Sequence, residues 1–426
     1  MRKLLFIILR FLAKKVLKKY RPLIIGITGS VGKSSTKEAI FSVLRDKFRV
    51  RRNQGNYNNE IGVPLTILGY KTGGQSVLKW LNVFIKGLSL VLKKDADYPE
   101  MLVLEMAADK IGDIEYLVKF VPCDVGVVTA IGEVHFEQFG SLENIIKEKQ
   151  KIIAHLKESH LAVLNADDHN VMGMKTLTKA KVVTFGFSEE ADFWATAVKI
   201  SQRDNQLGMT FKLHAQGSVL PVFLYNILGQ HQVKAALAAI AVASSLDIKL
   251  LDILEGFKKY QALPGRTNLI KGIKGTLLID DSYNASPLSA KAALAVLQEI
   301  PALAGAKKVA VFGEMLELGS YTTAGHMEVG QKLTEVGIDM LVCTGEKSRD
   351  IIRGAIQAGL PEERTFYFDN NHDAGIFVQD KIHTGDIVLI KGSQGARMEQ
   401  ITKELMAEPL RAKELLVRQT EEWLKK

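Results

Sequence analysis

The stretch TGSVGKSS, Thr28–Ser35, directly follows the apolar run LIIGIT at Leu23–Thr28 and directly precedes a segment of helical character from about Lys33. A glycine turn between a strand and a helix offers backbone N–H groups, and the helix N-terminus adds its dipole, so such a turn holds phosphate oxygens. In this reading Thr28, Gly29, Ser30, Gly32 and Ser35 form the cradle. Lys33 neutralises the terminal phosphates, and Ser34 offers a hydroxyl to Mg²⁺. The strict phosphate-loop pattern wants a glycine where Ile27 stands. An ordinary glycine turn is the plainer alternative, but strand, Lys-Ser pair and helix all fall in place, and ATP is the expected ligand.

Beyond the loop, the runs MLVLEM (101–106), DVGVVTAI (124–131), LAVLNAD (161–167) and VVTFGF (182–187) alternate with helical patterns. That alternation predicts an α/β fold with a parallel sheet flanked by helices. Strands of alternating polarity from about Asp192 to Leu224 predict an antiparallel edge, and Gly229 to Ser245 reads as an Ala-rich helix. LPGRT at Leu263–Thr267 reads as a hinge, because Pro264 and Gly265 punctuate the end of a helical stretch. A second α/β pattern follows, with TLLIDD (276–281), a helix from Ser289, KVAVFG (308–313), a helix around Val329, MLVCTG (340–345) and DIVLIKGS (386–393). The expected organisation is a basic amphipathic helix at 1–20, a central P-loop-type parallel-sheet ATPase domain at 21–264, and a smaller Rossmann-like α/β domain at 265–426. The stretch from Pro409 reads as a charged, solvated helix.

The chain has 426 residues, 47% of them hydrophobic, enough for two or three cores. Cys123 and Cys343 are its only cysteines, which excludes a disulfide framework and a zinc cluster and points to the cytoplasm. The formal net charge is +9. No basic platform interleaved with aromatic residues appears, so nucleic acid is not an expected partner. Residues 1–20 and 77–94 are both basic and apolar, and the run Leu4–Leu9 is too short to span a bilayer. Two readings stay open for these segments, a helix on the inner membrane surface and a helix packed on the protein's own body.

Glu105 ends an apolar strand beside the phosphate turn, where a hard cation is the usual reason to keep a carboxylate, and it is the first expected Mg²⁺ ligand. His135 follows the strand DVGVVTAI and by itself reads as a structural histidine. Lys149 lies on a helix starting near Ser141 and by itself reads as a surface lysine. Asn56, Asn58, Asn59 and Glu60 read as a loop.

These motifs, with NYNNEIGVPLTIL (56–68), IGEVHFEQFGSLENIIKEK (131–149), GRT (265–267), IDDSYNASP (279–287), FGEMLELG (312–319) and KGSQGARME (391–399), resemble in their order the Mur ligase family, MurF type. The displaced first glycine is also how that family writes its loop. The resemblance covers roughly residues 23 to 400. It implies an ATP-dependent ligase that phosphorylates a carboxylate acceptor and joins the acyl phosphate to an amino acid or dipeptide, D-Ala-D-Ala being the family default in peptidoglycan synthesis. It implies two Mg²⁺ ions, with His135 and a CO₂-derived carbamate on Lys149 holding the second. By the same resemblance Asn56, Asn58, Asn59 and Glu60 face the acceptor. Arg266, Asp281, Tyr283 and Asn284 embrace ATP from the C-terminal domain, and Lys391 reaches substrate. The catalytic set is Lys33, His135 and Lys149, and a monomer is expected.

MurF-type enzymes carry an N-terminal domain that grips a UDP-sugar, and that domain is expected to be missing, since the loop begins after about two dozen residues. Ala130, Gln232 and Ala235 stand where the family has asparagines, so contacts to adenine are expected to differ. A Mur-like ligase with a lipid-linked or polyglutamate acceptor, and a catalytically silent ATP-binding paralogue, remain as alternatives.

Overall fold

The computed structural model describes residues 2–55, 57–74, 76–132 and 136–424. Two sheets organise the chain. The first has nine strands: β1 (Leu23–Thr28), β2 (Val50–Arg52), β3 (Met101–Glu105), β4 (Val125–Val128), β5 (Leu161–Asn165), β6 (Lys181–Gly186), β7 (Phe193–Arg203), β8 (Gln206–Ala215) and β9 (Ser218–Tyr225). Their order is β2-β3-β1-β4-β5-β6-β7-β8-β9, parallel through β7 and antiparallel across β7-β8-β9. β3, β4 and β5 are buried along their whole length, as apolar runs covered by helices on both faces should be. β7 to β9 alternate in burial, which is the expected antiparallel edge with one face wet.

The chain leaves β1 to one side for β2 and β3, then crosses to the other for β4. The order therefore reverses at β1, and a crevice opens beyond the carboxyl ends of β3, β1 and β4, where open α/β sheets bind ligands. α1 (Arg2–Tyr20), α2 (Lys33–Leu44), α3 (Gly62–Leu68), α4 (Val77–Leu92), α5 (Asp113–Phe120), α6 (Phe136–Phe139) and α7 (Leu142–Lys149) belong to this part of the chain. α2 and the Ala-rich helix Gln230–Ser244 cover one face with the core around Ile25, Ile40, Val127 and Ile240. α1, α3, α5 and α7 cover the other, around Leu12, Leu65, Leu104 and Ile145. α1 buries Leu9, Leu12, Ala13, Val16 and Leu17, so much of its apolar stripe is spent on the protein's own body.

The second sheet has six strands, β10 (Asn268–Lys271), β11 (Leu277–Asp281), β12 (Lys308–Gly313), β13 (Met340–Thr344), β14 (Thr365–Phe368) and β15 (Ile387–Lys391). Their order is β10-β11-β15-β12-β13-β14, parallel except for β10 against β11. Asp281 and Lys391 are partners in register at the carboxyl ends of β11 and β15.

The stretch from Pro409 is not the single solvated helix its charge suggests. It forms short turns, including Ala412–Leu415 and Glu421–Leu424, because Ala412 and Leu416 are drawn into the core under the second sheet. Arg418, at φ 56°, anchors it further: the guanidinium donates to the carbonyl oxygens of Ser282 and Tyr283 and pairs with Glu399.

Candidate active site at the phosphate loop

The turn between β1 and α2 needs its glycines. Gly29, at φ 145°, lies so close to Thr129 that an added Cβ would stand 2.1 Å from that hydroxyl, and Gly32 takes the left-handed conformation at φ 86° as the N-cap of α2. The loop is pinned from β4. The Ser30 N–H donates to the Ala130 carbonyl (2.7 Å), Thr129 Oγ1 donates to the Val31 carbonyl (2.6 Å), and Ser30 Oγ donates to the Gly132 carbonyl (2.9 Å). Thr28 Oγ1 donates to the Met106 carbonyl at 2.9 Å. Ser35 is buried on the first turn of α2. Lys33 folds back over the turn, its ammonium donating to the carbonyls of Gly29 (2.7 Å) and Ser30 (3.0 Å).

Glu105 closes the crevice from β3. One carboxylate oxygen accepts from Ser34 Oγ (2.9 Å) and lies 3.5 Å from Lys37 Nζ, and the other accepts from Asn58 Nδ2 (3.0 Å). Burial pushes this carboxyl upward, but Lys37, Lys33 and the hydrogen bonds from Asn58 and Ser34 outweigh it and hold the group below the usual range. Burial lowers the Lys33 ammonium; Glu105 and Asp109 oppose that, while the nearby Arg266 guanidinium adds to it. The Ser34 hydroxyl and Glu105 carboxylate are hard oxygen donors side by side, a donor set suited to Mg²⁺. Among the described residues no group of three or more His, Cys, Asp or Glu is gathered for a metal. Asn56 and His135 lie outside the described residues.

Lys149 is a buried lysine, 2% exposed, at the end of α7. Its neighbour Glu148 explains the placement. That carboxylate accepts from the Gly112 (2.8 Å) and Ile114 (2.6 Å) N–H groups at the start of α5, which fixes the turn of α7 and commits the next side chain to the interior. Lys147 is exposed, and Lys151 pairs with Glu115 on the surface at 3.7 Å. Burial, with Lys33 adding to it, lowers the Lys149 ammonium to about 7, so near neutral pH much of it is the free amine. Arg266 and Lys149 are thus both electrostatic neighbours of Lys33 at the glycine turn. Such an arrangement fits a polyanion.

The loop before α3 is split in role. Asn58 reaches Glu105, whereas Asn59 Oδ1 accepts from the Ile61 (3.2 Å) and Gly62 (3.0 Å) N–H groups and so starts α3. Glu60 is half-buried beside them.

From the second sheet, the Arg266 guanidinium stacks 4.0 Å over the Tyr283 ring. Lys391 is 1% exposed, its ammonium bound to Asp281 Oδ2 (2.6 Å) and to the Asn284 carbonyl (2.9 Å). It braces the loop carrying Tyr283 and Asn284, and in this structure it is not open to a substrate. Asp281→Asn is expected to lower unfolding free energy by about 3 kcal/mol, because it strands the Lys391 ammonium. The pair Asp281→Leu with Lys391→Met is expected to recover most of that in chemical denaturation. His231, held down at about 4 by burial, lies 3.5 Å from Thr267 Oγ1. Gln232 accepts from Tyr260 OH at 2.7 Å and is a structural brace, Ala235 is core, and Ala130 meets the loop through its carbonyl.

Sequence reasoning passed over Lys37, Asn53, Glu148 and Arg418. Lys37 stands four residues after Lys33, hence on the same face of α2, and that spacing was a usable signal. Asn53 grips Glu105 through both backbone groups, donating to its carbonyl and accepting from its N–H at 2.9 Å each. For Arg418 there was no local signal.

Residues 27–78 and 84–243 match the Mur ligase middle domain, and residues 265–394 match the Mur ligase, glutamate ligase domain. The chain is 31% identical over 402 residues to UDP-N-acetylmuramoyl-tripeptide--D-alanyl-D-alanine ligase of Bacillus subtilis, covering 94% of this chain and 80% of that one. It is 30% identical to the Escherichia coli enzyme of the same name, covering 90% and 76%. Among solved structures, MurF from Acinetobacter baumannii superposes with a TM-score of 0.77 at 28% identity, covering 92% and 79%. MurF from Thermotoga maritima in complex with ADP gives 0.76 at 28%, covering 93% and 82%. The two sheets, the glycine turn with Glu105 beneath it and these matches along nearly the whole length agree: the chain belongs to the Mur ligase family.

Proposed function

We propose that this chain is an ATP-dependent, ADP-forming amide ligase that activates a carboxylate as an acyl phosphate and joins it to an amine. The reaction is the addition of D-alanyl-D-alanine to a UDP-muramoyl-peptide precursor in peptidoglycan synthesis, as the names of the relatives describe it for them. The observation that carries the reading is the glycine turn with the Lys33 ammonium folded over it and the Glu105 carboxylate and Ser34 hydroxyl paired beside it, Arg266 and Lys149 being its electrostatic neighbours.

The acceptor carboxylate attacks the γ-phosphorus of ATP and ADP departs. Lys33 and Arg266 neutralise the charge that spreads over the transferring group, a task of position and electrostatics. The amine then attacks the acyl carbon, the amide forms and inorganic phosphate leaves with the loss of a proton. Thr28 to Ser35 hold the phosphates; Arg266, Tyr283 and Asn284 close on the nucleotide, Asp281 and Lys391 holding that loop; Asn58, Asn59 and Glu60, with Asn56, face the acceptor. Ser34 and Glu105 would hold one Mg²⁺, and His135 with a carbamate on Lys149 a second, which supply positive charge to the phosphates. The domain division at 264/265, a monomeric state, work in the cytoplasm and a peripheral contact through residues 1–20 and 77–94 belong to the same proposal.

Phosphate release should be followed across a panel of UDP-muramoyl peptides and amines, with mass spectrometry of the products. An amide that requires both ATP and D-alanyl-D-alanine is expected; ATP turnover that no muramoyl peptide stimulates, with no amide from any pair, contradicts the proposal. For the carbamate, ¹³C-bicarbonate is expected to give one carbamate resonance that Lys149→Ala abolishes, together with about a 100-fold fall in activity. A wild-type spectrum with no such resonance removes it.

A further inference from the structure

We propose that α1 and α4 dock the enzyme on an anionic lipid bilayer, with α4 lying in the plane of the interface. The inference deepens the peripheral contact proposed above and does not rest on the ligase reaction.

α4 is apolar on two opposite faces. Val83 and Gly87 turn inward, Gly87 so close that an added Cβ would meet Leu12 of α1 at 3.1 Å. On the other side Val77, Leu78, Leu81, Ile85, Leu88 and Leu92 are 49% to 79% exposed. At about 100° per residue these six fall within one arc of roughly 100°, a continuous apolar stripe turned to solvent. The strip beside it carries Lys79, Asn82, Lys86, Ser89 and Lys93. α1 adds Ile7 (65% exposed) and Phe11 (57%), and the same face of α1 continues into Lys14 and Lys18. A stripe of this length is more than the scattered apolar residues of an ordinary surface, and apolar stripe plus basic rim is the pattern of a helix lying in a bilayer interface. No helix among the described residues is long and apolar enough to cross a membrane.

The charge says what covers it. Of the chain's 56 Lys and Arg, eleven lie in residues 1–20 and 77–94, which contain none of the 47 Asp and Glu. The remainder, with 45 basic residues against 47 acidic, is net −2, so the whole positive excess sits in these two segments. A second copy of the chain on this face would set like charge against like charge. An anionic bilayer is the complementary surface. Two cavities have lysines in their walls, one of about 810 Å³ beside α1 with Lys14, Lys18, Arg21 and His160 together with Asp124, the other of about 340 Å³ at the end of α4 with Lys86, Lys93 and Lys94 together with Asp95.

The helices are also fixed to each other. Lys19 Nζ donates to the Leu90, Val91 and Lys93 carbonyls at 2.6 to 3.0 Å and closes the end of α4. Deleting α1 would open the core, so the test uses surface changes. The full chain should be co-sedimented with vesicles of phosphatidylglycerol mixed with phosphatidylcholine, and of phosphatidylcholine alone, beside the variants Leu81→Ser/Ile85→Ser and Lys79→Glu/Lys94→Glu, each with its thermal midpoint. Binding to the anionic vesicles that weakens at high salt, is at least tenfold tighter than to phosphatidylcholine, and falls about tenfold or more in both variants at unchanged midpoint is the expected result. No binding to anionic vesicles, or equal binding by the Leu81→Ser/Ile85→Ser variant, overturns the proposal. So does a dimer that the same variant dissociates in the absence of lipid. The assay contains neither ATP nor acceptor, so its failure is separate from any failure of the ligase reading.

Discussion

Replacing Lys33 with alanine is expected to lower ATP turnover by about 10³-fold and leave the fold intact. The ammonium is held over the turn by two carbonyls of its own loop, so its loss strands no distant partner. What goes is the positive charge proposed to meet the transferring phosphate, in a crevice where burial makes each charge count for more than in water. Steady-state phosphate release and the thermal midpoint check this together. A midpoint within a degree or two of wild type with turnover near zero is the expected pair, and a loss of less than about tenfold would remove Lys33 from the phosphate site.

Glu105 is expected to show both activity and stability effects. The carboxylate is buried between Lys37, Ser34 and Asn58, and Asn53 holds its backbone. Glu105→Ala takes away one of the two carboxylate partners of the buried Lys37, Glu38 remaining 3.6 Å away, and leaves the Ser34 and Asn58 donors without their acceptor; it is expected to cost about 2 kcal/mol. Glu105→Gln keeps the shape and the hydrogen bond from Asn58, with the Ser34 contact reversed, but not the charge; activity is expected to fall about 100-fold and the Mg²⁺ concentration for half-maximal rate to rise. The pH dependence has a definite sign. The folded-state pKa lies below the ordinary 4.5, so this group's contribution to stability is complete above that value and is lost as acidification protonates it in the fold. Acid unfolding of Glu105→Gln is therefore expected to begin from a lower stability and to fall less steeply below pH 4.5. Equal slopes for variant and wild type would mean that the carboxylate is not held ionised by its neighbours.

How far the sequence could be read follows from how local each cause is. The turn at Thr28–Ser35 was legible because strand, glycines and helix are consecutive, and Glu105 because a carboxylate ending a fully apolar strand needs a reason. The α/β alternation and the antiparallel edge from Asp192 were equally plain, since burial on two faces and on one face leave different periods. Lys149 was legible only through family resemblance: the cause of its burial, Glu148 capping α5, is a contact between helices 34 to 36 residues apart in sequence. Lys391 looked like a substrate-facing lysine at a strand end, but its register partner is Asp281 on a strand more than a hundred residues earlier, and the pair turns inward. The stretch after Pro409 looked solvated for the same kind of reason, its charge being conspicuous while the acceptors of Arg418 lie on distant loops. For residues 77–94 a helix with an apolar face was evident, but which of its two apolar faces meets the core depends on Leu12 and Leu68, and no periodicity in the segment itself encodes that.

The claim at the centre of this account is that a substrate carboxylate is phosphorylated before the amide forms. Supplying an acceptor with ¹⁸O in that carboxylate and analysing the phosphate released by mass spectrometry tests it most directly. One ¹⁸O atom in each phosphate, appearing in step with amide, is the predicted result; amide formed with phosphate free of ¹⁸O would contradict an acyl phosphate and with it the reading of the site.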